Sequence, residues 1–223
     1  MGALHHRNFV LLWTGLVVSN TGTWMQTVGQ GWLVLQITDS ALALGVVSLA
    51  FAVPMTMLPP IGGAVADRVD KLVLLRTTQT LSLLNALVLA TLTLAGVVQL
   101  WHIVASAFIW AVLLAADNPA RQALLPSLVG KDDLMSAISL NSAVFTGAAL
   151  FGPALAGLLL RFIGSGGLFL LNAVSYGAVL IALMLIRSVD ARPVKSGAGL
   201  WADVAEGLRY VASSRLLLCR YAS

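Results

Sequence analysis

Long apolar stretches separated by short charged ones dominate the chain: residues 8–38, 40–66, 77–116, 134–160 and 162–186 contain no Asp, Glu, Lys or Arg. A helix rises about 1.5 Å per residue and the hydrocarbon core of a bilayer is about 30 Å thick, so roughly 20 apolar residues make one crossing. Four of the stretches hold one crossing each. The fifth, 77–116, is long enough for two, and Gly96, Gln99 and His102 near its middle supply a polar hairpin that divides them. The pattern predicts an all-α polytopic membrane protein with six spans, at 9–36, 41–65, 73–96, 101–118, 134–160 and 166–186. Barrel strands are excluded because they would alternate in polarity over short segments, and the first stretch is too long for a signal-peptide core.

Beyond the spans the pattern changes. Residues 187–199 are polar and suit a flexible linker. Leu200, Trp201, Val204, Ala205, Leu208, Val211 and Ala212 then recur at helical spacing opposite Asp203, Glu206 and Arg209. That is an amphipathic helix suited to the cytoplasmic membrane surface. The expected division is a six-helix bundle over 1–188 and a cytoplasmic segment over 189–223, in which the apolar residues from Leu216 to Cys219 read as the truncated start of a seventh span.

Composition agrees: 59% of residues are hydrophobic and only 10% charged, far from the balance of a soluble domain. Charge adds orientation. Arg7 precedes the first span, Arg68, Lys71 and Arg76 fall between the second and third, Arg121 and Lys131 between the fourth and fifth, and six basic residues follow the sixth. Arg161 alone lies between the fifth and sixth. By the excess of basic residues in cytoplasmic loops, both termini face the cytoplasm of a cell whose inner or plasma membrane holds the chain. The net charge of +4 thus reports topology, and no nucleic-acid partner is expected. A single cysteine, Cys219, excludes an intramolecular disulfide and a multi-thiolate metal site. No cofactor or metal is expected, because no His, Asp or Glu cluster shares a common depth and His5 and His6 lie outside the spans.

Polar residues inside the spans mark where a solute could meet the protein. On a helix, Ser19, Asn20, Thr23, Gln26, Thr27 and Gln30 fall within an arc of about 120°, with Val17, Trp24, Met25, Val28 and Trp32 on the far side. Amides at mid-span are costly against lipid, so the arc faces a watery cavity or other helices, to which it would hydrogen-bond. In the fourth span His102, Ser106, Trp110 and Asp117 share a stripe; Ser139, Ser142 and Thr146 in the fifth and Asn172, Ser175 and Tyr176 in the sixth are further candidates, Ser139 and Ser142 also being able to bond back to the preceding turn. Amides, hydroxyls and aromatics suit an amphiphilic organic solute better than a bare ion.

Two loops carry more specific patterns. Gly62 to Lys71 (GGAVADRVDK) joins small residues that allow close helix approach to a dense charge cluster, Asp67, Arg68 and Lys71. This resembles the G-x-x-x-D-R-x-G-R-K loop of the major facilitator superfamily: Gly63, Asp67 and Arg68 match, Lys71 stands at a basic position, and Asp70 and Leu72 depart from the pattern. Gly152, Pro153 and Gly157 resemble the G-P-x-x-G-G element of that superfamily's antiporters, with Ala156 in place of one glycine; Pro153 is expected to bend the helix and Ala148, Gly152 and Ala156 to form a smooth packing face. Pro59, Gly63 and Arg68 recur as Pro153, Gly157 and Arg161, a faint 3+3 inverted repeat. The segment from Ala116 to Val129 is similar to the drug and siderophore exporter branch that includes the enterobactin exporter and macrolide efflux proteins.

The resemblance implies one half of a twelve-span secondary exporter of small organic molecules, coupled to protons and working by alternating access. This chain would be the N-terminal half, inactive without a C-terminal half or a second chain. It also implies a cytoplasmic gate, with Asp67, Arg68 and Lys71 approaching Asp117 and Arg121; Asp117 is the best candidate for proton coupling, its other reading being a partner for Arg121. A membrane scaffold whose polar stripes serve packing is the competing function, and an intramembrane enzyme is disfavoured for lack of clustered catalytic groups.

Overall fold

A computed structural model describes residues 2–186. The linker, the amphipathic segment and Cys219 lie outside the described residues. A 3-10 turn, Gly2–His5, leads into six helices: α1 (Arg7–Thr38), α2 (Ala41–Met57), α3 (Pro59–Arg68), α4 (Lys71–Leu94), α5 (Leu100–Val129) and α6 (Leu134–Leu185). Among the described residues, α4, α5 and α6 are each long and apolar enough to cross a membrane, and α2 with α3 qualifies as a pair bent by 52°.

Local chemistry sets the boundaries. Asp39, in the left-handed conformation with φ 47°, ends α1, and the Ser40 hydroxyl accepts from the backbone of Ala43 to start α2. Between α2 and α3 the stretch expected as one straight span bends at Leu58, between Pro54 and Pro59, because Pro59 cannot continue the hydrogen-bond ladder. Asp70 caps α4, its carboxylate accepting from the backbone of Leu72 and Val73 at 2.8 and 3.1 Å. This residue departs from the family loop pattern, and its position here shows it acting as a helix cap.

α6 is two helices. The interruption falls at Gly164, with φ 64° and ψ −178°, a backbone conformation that glycine tolerates and other residues resist. The expected bend at Pro153 is not where the helix breaks; Pro153 lies within helical backbone. The two halves run oppositely along α1. In the first half, Leu140 lies by Trp13, Gly152 by Trp24 and Ala156 by Met25. In the second, the order inverts: Leu168 lies by Gly29, Ser175 by Gly22 and Val179 by Gly15. The chain therefore reverses at Gly164.

The fourth predicted span, α5, extends further than expected. The sequence pattern predicts a span ending at residue 118 and a loop through 133, whereas α5 continues through Pro119 and Pro126 to Val129. Pro119 lacks an N–H, so the carbonyl of Ala115 four residues earlier loses its helical donor. At that carbonyl α3 comes close to α5: a Cβ added to Gly62 would collide with the Ala115 oxygen. Gly63, the glycine that matches the family pattern, has open space around its α-carbon.

Packing divides by height. One large apolar core gathers Phe9, Leu12, Leu16, Leu75, Leu124 and Leu183 and another gathers Leu33, Val34, Leu89, Ile103 and Phe169, with two smaller clusters at Met25, Ala156 and Leu168 and at Ala86, Ala173 and Tyr176. The buried polar side chains Ser19, Gln26, Gln30, Thr78, Gln79, Ser82, Ser106, Asp117, Asn172 and Ser175 fall between the two large cores in sequence along their helices, and Ser165, next to Gly164, does not. A polar stratum is thus enclosed between two apolar ones.

Candidate functional site: a polar cavity at mid-height

Within that stratum lies a cavity of about 560 Å³, walled by α1, α2, α4, α5 and both halves of α6. From α1 come Ser19, Asn20, Thr23, Thr27 and Gln30, and from α5 Trp110, Asp117 and Arg121. Sequence reasoning missed several wall residues: Ser48 and Phe51 of α2, Gln79 and Ser82 of α4, Asn118 of α5, and Asn141 and Phe145 of α6. Gln79 carried the same signal as Gln26, an amide inside an apolar run.

Aromatic rings shape the space. Phe51 stacks on Trp110 with centroids 4.8 Å apart, and Trp24 meets Phe145 edge-on at 6.4 Å. Trp24 was expected on the far side of α1, yet it lines the cavity. Helix α1 is surrounded by partners, so the side opposite its polar arc also meets protein: Met25 packs on Ala156 and Leu168.

Other expected wall residues are elsewhere. Gln26 is buried against the second half of α6, where its Oε1 accepts from Asn172 Nδ2 at 2.7 Å. Ser175 bonds the Asn172 carbonyl and side chain at 2.7 and 3.0 Å, whereas Tyr176 does line the cavity, its hydroxyl 3.3 Å from that of Thr23. His102 sits at the start of α5 in a capping box: its Nδ1 accepts from the backbone N–H of Gln99 at 3.0 Å while its ring lies against Trp101. Ser106 is buried, and its carbonyl accepts from Asn85 at 3.1 Å. Ser139 bonds back to the Met135 carbonyl at 2.9 Å. Ser142 and Thr146 are exposed.

At one end of the cavity Asp117 is 2% exposed and surrounded by donors. Its Oδ1 accepts from Thr78 Oγ1 at 2.7 Å and Gln79 Nε2 at 2.9 Å, and its Oδ2 accepts from Arg121 one turn further along α5. Asp117 thus finds its partners on α4 and α5 and not in the α3–α4 turn. In that turn Asp67 is exposed, and Arg68 and Lys71 are half-buried.

The glycine-proline segment of α6 divides likewise. Gly152 lies against α1, where an added Cβ would come 2.5 Å from that of Trp24, and Ala148 and Ala156 are buried on the same face. Pro153 is half-buried, and Gly157 faces open space.

Aromatic rings, amides and hydroxyls from α1, α2, α4, α5 and both halves of α6 thus line one space inside an apolar exterior. The family described as "Transmembrane secretion effector" matches residues 1–220. The staphyloferrin A transporter of Staphylococcus aureus is 35% identical over 77% of this chain and 44% of its own length. The multidrug efflux pump Tap of Mycolicibacterium fortuitum is 27% identical over 91% of this chain and 51% of its own. A third relative, the uncharacterized transporter YfiS of Bacillus subtilis, is 24% identical over 96% of the chain and 51% of its own length. The chain belongs to the major facilitator superfamily of transporters, a non-enzymatic family, and is a multi-pass membrane protein. It spans about half the length of the curated relatives it matches.

Proposed function

We propose that the chain forms the N-terminal half of a secondary transporter that exports small amphiphilic organic molecules, of drug or siderophore type, by alternating access and proton antiport. The observation that carries this reading is the mid-height cavity, in which aromatic faces and neutral polar groups converge from five helices. Such a wall can hold a solute with both apolar and polar parts while a lipid-facing exterior surrounds it. Relatives named as a siderophore transporter and a multidrug efflux pump support the substrate class.

Six crossings with both termini in the cytoplasm of a cell-membrane protein account for the helix directions. Phe51 meets Trp110 and Gly62 meets Ala115, so the α2–α3 pair runs parallel to α5. Gln79 meets Asp117 and Asn85 meets Ser106, so α4 runs against α5. Together with the reversal at Gly164, these directions fit a chain that alternates at every crossing. A second six-span half, on the same polypeptide or another chain, closes the cavity.

The cytoplasmic gate comprises Gly63, Asp67, Arg68 and Lys71 at the α3–α4 turn, with Asp117 and Arg121 nearer the cavity. Ala148, Gly152 and Ala156 form the face along which the first half of α6 moves, and Gly152, Pro153 and Gly157 are the motif that lets it bend. Protons couple through Asp117, whose carboxylate ties α4 to α5.

The test is export. The chain, joined to the second half of the staphyloferrin A relative and expressed in a host lacking its own efflux pumps, should lower retention of a fluorescent amphiphilic dye at least twofold. Asp117→Asn should abolish the difference. Equal retention with and without the joined protein would defeat the reading.

A further inference from the structure

Resting on the reading of the cavity as a solute site, we infer that the stacked rings of Phe51 and Trp110 are its selective element: they form a platform for a solute that carries a planar aromatic ring system.

The cavity gathers its rings at one height. Helix α1 runs against the second half of α6, and so does α4, whose Leu94, Leu83 and Arg76 meet Gly166, Gly177 and Leu183 in turn. Helices α1 and α4 therefore run the same way, and α5, which opposes α4, also opposes α1. Gln30 Nε2 lies 3.5 Å from the Ile103 carbonyl and sets the register of α1 on α5. From that contact Trp24 lies about 9 Å back along α1 and Trp110 about 10.5 Å forward along α5, at about 1.5 Å per residue. The two tryptophans come level. Phe145 meets Trp24 and Phe51 meets Trp110, so all four rings share that level. All four border the cavity, Phe145 exposed and the others half-buried, which leaves ring surface open to an occupant.

The two ring pairs offer different things. Trp24 and Phe145 meet at 65°, an edge-on contact that a further flat ring does not extend. Phe51 and Trp110 lie 27° from parallel with centroids 4.8 Å apart, and a flat ring laid on such a stack finds the offset π contact that aromatic pairs favour. Val47 and Met55, one turn either side of Phe51, and Leu114, one turn beyond Trp110, line the cavity with aliphatic side chains. The amide and hydroxyls of Asn20, Thr23 and Thr27 come from α1. A flat aromatic body with a polar substituent matches that division between walls. Charge selects little here: among the described residues the acid and base of the cavity wall are Asp117 and Arg121, and they are bonded to each other.

Two alcohols isolate the ring. 2-Naphthol and decahydro-2-naphthol carry the same hydroxyl on the same fused bicyclic skeleton, flat in the first and puckered in the second. Their binding to the 223-residue chain in lipid nanodiscs is measured by equilibrium dialysis, with empty nanodiscs correcting for partition into lipid. 2-Naphthol should bind roughly fivefold more tightly than its saturated counterpart. Phe51→Leu removes a platform ring and should cut that preference below about twofold while decahydro-2-naphthol stays bound. Phe51→Tyr restores a ring and should keep the preference, as should Phe145→Leu at the edge-on pair. Equal binding of the two alcohols by the unaltered chain overturns the platform and leaves the cavity reading standing. A preference that survives Phe51→Leu, or that Phe145→Leu removes as well, overturns the assignment to this stack. Loss of both alcohols alike in Phe51→Leu would make the ring a packing residue and also overturn it. If neither alcohol binds beyond empty nanodiscs, both readings fall.

Discussion

Helix α1 carries two polar surfaces that look alike in sequence and behave differently in the fold. On one, Gly22 packs close to Asn172 and Ser175 of the second half of α6, Gln26 accepts from Asn172, and the Thr23 hydroxyl lies by that of Tyr176. On the other, Ser19, Asn20, Thr27 and Gln30 border the cavity, and the hydroxyl of Thr27 bonds only back to the Thr23 carbonyl at 3.0 Å. The first surface is a closed seam, the second an open wall. Identical residue types glue helices together where partners match them and remain available to a solute where they do not.

Substitutions should separate the two surfaces. The largest effect belongs to Gly22→Leu. An added Cβ there would lie 2.5 Å from the Ser175 hydroxyl, so the seam must part. A loss of about 3 kcal/mol is expected, read as the thermal unfolding midpoint in detergent. Asn172→Leu comes next, at about 2 kcal/mol, because it leaves Gln26 buried without its donor. Pairing it with Gln26→Met should recover part of that loss, and strict additivity would show that the two amides do not act as a unit.

Thiol labelling gives the third contrast. In a Cys219→Ser background, a cysteine at Thr27 should react with a water-soluble maleimide roughly tenfold faster than one at Gln26, since only the former borders open space. Equal rates would make the wall as closed as the seam. Thr27→Val should have the smallest effect, within about 0.5 kcal/mol of the parent on unfolding, because its hydroxyl bonds only its own helix.

The helices themselves were legible from the charge-free stretches, and the split of 77–116 near Gly96 matches the gap between α4 and α5. The polar arc of α1 was legible as well, but not its division into seam and wall, because that depends on what each residue faces across the bundle. Pro119 and Pro126 read locally as helix ends. The helix continues through them, and the carbonyl that Pro119 leaves without its usual donor lies against Gly62, which comes more than fifty positions earlier. The family loop pattern singles out Gly63, whereas the position of α5 selects its neighbour Gly62 for close approach. Two missed roles had local signals. Gln99 and His102, three apart at the head of an apolar run, have the spacing of a capping box, and Asp70 before a helical run has the form of an N-cap. Gln79, a missed residue of the cavity wall, could have been found by the rule already applied to α1.

The reversal at Gly164 ties the fold to its solvent. Straightened, the 52 residues of α6 would make a rod about 78 Å long, more than twice the hydrocarbon depth of about 30 Å. A polar helix in water meets no such limit, whereas an apolar helix that runs past the headgroups exposes its side chains to water. Lipid thickness thus acts as a template, selecting the hairpin over the rod while one glycine makes the corner sterically cheap. A helix-favouring residue at that corner would be tolerated less well as the surrounding membrane becomes thinner.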